Sequence, residues 1–199
     1  MSRTSTHAAT PDRRQSILSA ALACFNEVGI EAATIEQIRE RAGCSIGSLY
    51  HHFRSKEGVA SRLFIDGIAD LNAGLIARLE QCEGAEASVR ACVHHYASWV
   101  ESHIELARFL LHSRDINFSL DAKAELKGMY HNHFGAVFSW FGPFVLRGDM
   151  RQLPPETYIP LISGPVEDYA RLWLSGRAKP PLSEVAEVFA DAAWASVAG

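Results

Sequence analysis

Between Thr34 and Lys56 the chain carries helix punctuation so dense that little besides two short helices and a sharp turn can satisfy it. Thr34 with Gln37 three residues later forms a capping-box pattern, in which hydroxyl and amide satisfy each other's open backbone groups. Ile38 and Ala42 then recur at helical spacing, and Gly43 can take the left-handed conformation that ends a helix abruptly. Ser45 caps a third helix whose buried side is Leu49 and Phe53, and Ser55 caps a long fourth helix to about Gln81.

The rest of the chain extends this all-α reading. Sustained two-residue alternation and runs of β-branched residues are missing. Thr10-Pro11-Asp12 is a helix start, Ile17, Ala21, Cys24, Phe25 and Val28 make an apolar stripe, and Gly29 ends that first helix. Further helices are predicted near 85–102, 104–113 and 119–141, followed by a loop marked by Gly142-Pro143, Gly148-Asp149 and Pro154-Pro155. A stretch near 156–175 should break at Gly164-Pro165, and Ser183 should cap a last helix to about Val197. Three parts follow: a disordered tail at 1–10, a helix-turn-helix domain at 11–54, and a ligand-binding and dimerisation domain at 55–199.

Charge is uneven. Residues 1–62 hold 8 Lys/Arg against 6 Asp/Glu, while residues 63–199 hold 11 against 17, within a net charge of -4. The balance permits a nucleic-acid contact at one end of the chain. Cys24, Cys44, Cys82 and Cys92 form no CxxC pair, which suits a reducing compartment. The polar first residues do not read as a signal peptide and no apolar run reaches spanning length, so the protein is expected in the cytoplasm, off the membrane.

A short helix after a tight turn can enter the DNA major groove while its flanks hold phosphates. Ile46, Gly47 and Ser48 occupy the first turn of the third helix. Gly47 allows close backbone approach, Ser48 can bond several bases, and Ile46 can meet a thymine methyl. Tyr50, His51, His52 and Lys56 can donate to phosphates, as can Thr34 and Ser45 at helix starts, while Gln37 must choose between its cap and a base. The residues Phe25-Asn26-Glu27-Val28-Gly29, Ala33-Thr34, Arg41-Ala42-Gly43-Cys44-Ser45, Gly47-Ser48-Leu49-Tyr50-His51-His52-Phe53 and Ser55-Lys56-Glu57 together resemble the TetR family of transcriptional regulators, over about residues 13–64. Cys44 stands where that family usually has valine, and His51 where a larger aromatic is frequent.

The resemblance implies a homodimer that binds an operator duplex and carries a small-molecule cavity among its middle helices. Trp99, Phe109, His112, Phe134 and Phe138 are the expected lining, for an apolar or aromatic effector. Leu172, Val185, Val188, Phe189 and Ala192 give the last two helices an apolar face for pairing. Six histidines beyond residue 62 leave a helical metal-binding enzyme as a competitor, and an activator on the same fold is another. However, His94-His95 and His131-x-His133 lack the i, i+4 spacing that joins two imidazoles on one helix face. With no nucleophile motif and no glycine-rich phosphate loop, no catalytic residue, metal or cofactor is expected.

Overall fold

A computed structural model describes residues 13–113 and 116–199. The tail at 1–10 and the Thr10-Pro11-Asp12 start lie outside the described residues. Ten α-helices and one 3₁₀ turn make up the described chain: α1 (Arg13–Ala32), α2 (Ile35–Ala42), α3 (Ile46–Phe53), α4 (Lys56–Leu79), α5 (Ala85–Ser102), α6 (Ile104–His112), α7 (Leu120–Arg147), a 3₁₀ turn (Pro155–Thr157), α8 (Tyr158–Ile162), α9 (Gly164–Leu174) and α10 (Leu182–Val197).

On α1, Ile17, Leu18, Ala20, Ala21, Cys24 and Phe25 are buried, three or four residues apart as an amphipathic helix requires. Val28 is a correction: at 48% exposure it sits at a surface groove with Gln37 and Arg41. The buried stripe stops at Phe25 because Gly29, at φ 81 and ψ 162, interrupts the helix and turns the chain toward α2. Ile38, Leu49, Phe53, Val59 and Ala60 then close a small core over α1.

The long α4 is the spine of the molecule, packing against α1, α3, α5, α6 and α7. Its entry is tight. A Cβ on Gly58 would lie 2.1 Å from the carbonyl oxygen of Phe53, so only glycine lets the first turn of α4 abut the end of α3. Behind α4, α5 packs along α10, which turns Ala186, Ala190, Ala193 and Val197 inward. Small residues there allow close helix approach.

Two punctuation readings need correction. The predicted loop at Gly142-Pro143 is helix, because α7 continues to Arg147 and stops only at the left-handed Gly148. Buried Phe141 and half-buried Phe144 and Val145 tie this last stretch to the core, which offsets the hydrogen bond that Pro143 cannot donate. Ser183 is not a cap either. The last helix begins at Leu182, and the N–H and hydroxyl of Ser183 both donate to Glu101 Oε1, at 2.9 and 3.1 Å. A carboxylate borrowed from α5 thus serves the positive end of α10. The expected break at Gly164-Pro165 is present as the junction of α8 and α9 at Ser163.

Candidate functional site

The helix-turn-helix is built from local bonds. Thr34 Oγ1 accepts from the Gln37 N–H at 3.2 Å, and Gln37 Oε1 accepts from the Thr34 N–H at 2.8 Å. Gln37 therefore completes its capping box here, the first of its two options. Gly43, at φ 59 and ψ 40, sends its N–H to the carbonyls of Arg39 and Glu40. Arg13 reaches across from α1 to the Gly43 carbonyl at 3.1 Å and fixes the turn from behind. Ser45 accepts from the Ser48 N–H at 3.2 Å, and Ser55 from the Gly58 N–H at 3.0 Å.

With both ends fixed, α3 turns Leu49 and Phe53 inward and presents a bare outer face. Ile46 is 49% exposed and Tyr50, one turn on, 47%. Gly47 has open space around its Cα, Ser48 is half-buried, and His51 and His52 are exposed with their rings 5.4 Å apart. Ser45 to Ser48, Tyr50, His51 and His52 thus share α3 and its N-cap, while Thr34 and Gln37 stand at the start of α2 and Lys56 at the start of α4.

Lys56 differs from the expectation of a free phosphate anchor. Its ammonium donates to the carbonyls of Glu31 and Ala33, both at 2.8 Å, and so finishes the open C-terminal end of α1. One ammonium proton is left for another acceptor. Nearby cations are also engaged: Arg41 pairs with Glu27 at 2.9 Å, and Arg39 with Glu36.

Several bonds join this unit to the helices behind it. Asn26 Nδ2 donates to the backbone carbonyl and carboxylate of Glu105 at 2.9 and 2.8 Å, and Phe25 stacks on Phe109 at 5.8 Å. Asp66 on α4 accepts from Arg14 at 3.4 Å and from Arg62 at 2.5 Å, and Arg62 also reaches Glu125 on α7 at 3.0 Å.

A cavity of about 600 Å³ lies between α4, α5, α6 and α7, with α8 and α9 at one side. Phe64, Ile68, Leu71, Asn72 and Leu75 of α4 line it, as do His95, Tyr96 and Trp99 of α5 and Tyr130 and His133 of α7. Of the five residues expected to line a cavity, Trp99 does so, its indole N–H held by Asp70 at 2.7 Å. Phe109 stacks on Phe25 and lines a separate cavity of about 730 Å³ between α1, the start of α4 and α6. Phe134 and Phe138 stack on each other at 6.1 Å, 38% and 47% exposed, and line a separate small groove between α7 and α8. The side chain of His112 lies outside the described residues. The α4 lining was not anticipated, although its apolar positions at 64, 68, 71 and 75 repeat at helical spacing.

Burial holds His95 and His133 below the ordinary imidazole value, and burial together with Glu167 pushes Tyr130 up. All three are neutral near neutral pH. Burial pushes the Cys92 thiol up to about 12, which keeps it unreactive. Among the described residues no three His, Cys, Asp or Glu side chains converge as a metal site would require.

Of the expected pairing face, Val188 is 67% exposed, Ala192 is exposed, and Leu172, Val185 and Phe189 are half-buried. Glu184, Glu187 and Asp191 border this outer side of α10, and Arg90 of α5 holds Glu187 at 2.7 Å. Among the described residues no helix is long and apolar enough to cross a membrane.

The fold and the exposed third helix define a helix-turn-helix protein carried on an all-helical partner domain. Residues 17–63 match the family described as bacterial regulatory proteins, tetR family. The HTH-type transcriptional regulator BetI of Klebsiella pneumoniae (strain 342) is 38% identical over 80 residues, which are 40% of this chain and 41% of that protein. The match thus spans about two fifths of the length of that relative. FadR of Bacillus subtilis, solved in complex with stearoyl-CoA, superposes with a TM-score of 0.77 at 15% identity, over 90% of this chain and 96% of that one. AibR, solved in complex with isovaleryl coenzyme A and operator DNA, gives 0.75 at 17% identity, over the same shares of 90% and 96%. Residues 17–63 thus carry the helix-turn-helix unit of the tetR family, and the fold of the described chain is similar to that of these solved proteins.

Proposed function

We propose that the protein is a ligand-responsive transcriptional repressor that binds a palindromic operator as a homodimer and leaves it when a small, largely apolar effector fills the cavity. The observation that carries the reading is the outer face of α3, where Ile46 and Tyr50 stand about half exposed over a helix whose caps and inner side are already satisfied. A monomeric fold gains nothing from two such side chains in water. Pressed into a major groove, the first turn of α3 meets base edges, while Tyr50, His51 and His52, the caps at Thr34 and Ser45, and the remaining proton of Lys56 meet phosphates.

Residues up to 54 form the reading domain and 55–199 the regulatory and dimerising domain, with Val188 and Ala192 of α10 and Leu172 of α9 at the pairing face. The acyl-CoA complexes of FadR and AibR support an effector with a substantial apolar part. The route of control is α4. The same helix supplies Phe64 to Leu75 to the cavity and locks its first turn onto α3 at Gly58. An effector that favours one tilt of α4 changes the separation of two reading heads, provided it binds that tilt more tightly than the other.

Mixing the protein with duplex DNA from upstream of its own gene tests the reading. Light scattering should give two chains per half-site pair, and affinity should fall linearly with the logarithm of salt as counterions are released. A monomer that binds no duplex at low salt contradicts it.

A further inference from the structure

The tight joint between α3 and α4 strains one residue. Arg54, the C-cap of α3, has φ 61 and ψ -33, and it alone among the described non-glycine residues has a positive φ. The Ser55 N–H donates to the Phe53 carbonyl at 2.7 Å, two residues back, so Arg54 is the centre of a γ-turn of the rare, strained hand. An L side chain crowds the backbone there, and glycine would meet the turn without that crowding. The close approach of Phe53 to Gly58 explains the turn. It does not explain why a guanidinium sits at the centre.

The other cations between residues 13 and 62 are engaged. Arg13, Arg14, Arg39, Arg41 and Arg62 each hold a carboxylate or a carbonyl of the protein, and Lys56 gives two protons to α1. Arg54 is exposed, and its guanidinium has no hydrogen bond, ion pair or ring contact among the described residues. Its N–H donates to the Tyr50 carbonyl at 3.0 Å, which sets it one helical turn beyond Tyr50, as Tyr50 is beyond Ile46. The exposed row of α3 thus ends on an unengaged cation. A cation also suits the negative end of α3, a role that belongs to stability and not to binding.

We infer that Arg54 is a phosphate anchor of the reading head, its guanidinium taking a DNA phosphodiester at the edge of the groove that α3 enters. The planar fork can give two parallel N–H bonds to phosphate oxygens, which the single remaining proton of Lys56 cannot. The contact reads no base, so it adds affinity to every duplex alike. The inference rests on the reading of α3 as a DNA-binding surface.

The full chain and its Arg54→Gly, Arg54→Gln and Arg54→Lys variants are titrated against the upstream duplex and a scrambled duplex of equal length, by fluorescence anisotropy over a series of salt concentrations. A dimer loses two phosphate contacts with either neutral variant, so the slope of log affinity against log salt should shrink by about 1.8. Affinity for both duplexes should fall by one shared factor, about tenfold at moderate salt. Arg54→Lys keeps the charge and should keep the slope. Arg54→Gly should also melt no lower than the parent, because it relieves the turn. A slope unchanged in both neutral variants overturns the inference, as does a loss confined to the upstream duplex, which would mean a base contact. A glycine variant that melts lower with its slope intact assigns Arg54 to the end of α3 instead. A parent chain that binds no duplex at low salt removes the reading of α3 and this anchor with it; a parent that binds while both neutral variants keep its slope removes the anchor alone.

Discussion

The reading head and the domain behind it close their helices by different means. In the head, Thr34, Ser45 and Ser55 each accept a backbone N–H three residues on, and Gly43 supplies the left-handed stop. In the regulatory part, α5, α6, α8, α9 and α10 start without any side-chain cap bond of their own; Ser119 on α7 is the exception. Local bonds fix the first region residue by residue. Packing and long-range polar contacts, such as Glu101 to Ser183 and Trp99 to Asp70, place the second. On the proposed function, a head fixed by local bonds would pass a change of α4 in the cavity on to the reading surface as a unit.

Variants can break this contrast in order of size. Phe25→Ala should have the largest effect, since it empties the head's core and the stack on Phe109 together. A loss of about 3–5 kcal/mol is expected in chemical denaturation. A loss below about 1 kcal/mol would mean that head and regulatory domain are not packed as one. Gly43→Val forces a β-branched residue into the left-handed region and should cost about 2 kcal/mol or more. Denaturation with normal stability would show that the turn is not made at Gly43. Lys56→Met removes two hydrogen bonds from an ammonium to backbone carbonyls and should cost about 1.5 kcal/mol in the absence of DNA. Unchanged stability combined with lost operator binding would return Lys56 to a pure phosphate role.

The smallest effect is on pH. Folded His95 stays neutral to a lower pH than the unfolded chain, which takes up its proton near 6.5. The unfolded state therefore binds more protons in the window below that value, and stability should decline as pH falls through it. His133 acts in the same direction. The melting temperature should drop between pH 7.5 and 5.5, and His95→Gln, which keeps a donor for the Leu71 carbonyl, should flatten part of the drop. An equal slope in the variant would place the titration elsewhere.

The same contrast explains what could be read in the chain before its structure. Thr34, Gly43, Ser45 and Ser55 act over three or four residues, so their roles are written locally. The fate of α7 is not. Along it, Leu126, Tyr130 and His133 line the cavity, whereas Phe134 and Phe138, at the same helical spacing, line a separate small groove beside α8. Which of these residues meets the cavity depends on α4 across the gap, which periodicity within α7 cannot report. Gly142-Pro143 failed as a stop for a similar reason, since the tertiary anchoring of Phe141, Phe144 and Val145 outweighs the missing donor.

The central claim is that α3 is a DNA-reading surface whose exposed face contributes nothing to folding. Tyr50→Ala tests it most directly, by fluorescence anisotropy on the upstream duplex at low salt alongside a denaturation curve. Operator affinity should fall about tenfold, while stability stays within about 0.5 kcal/mol of the parent chain. Full affinity in the variant, or a stability loss matching the loss of binding, contradicts the account.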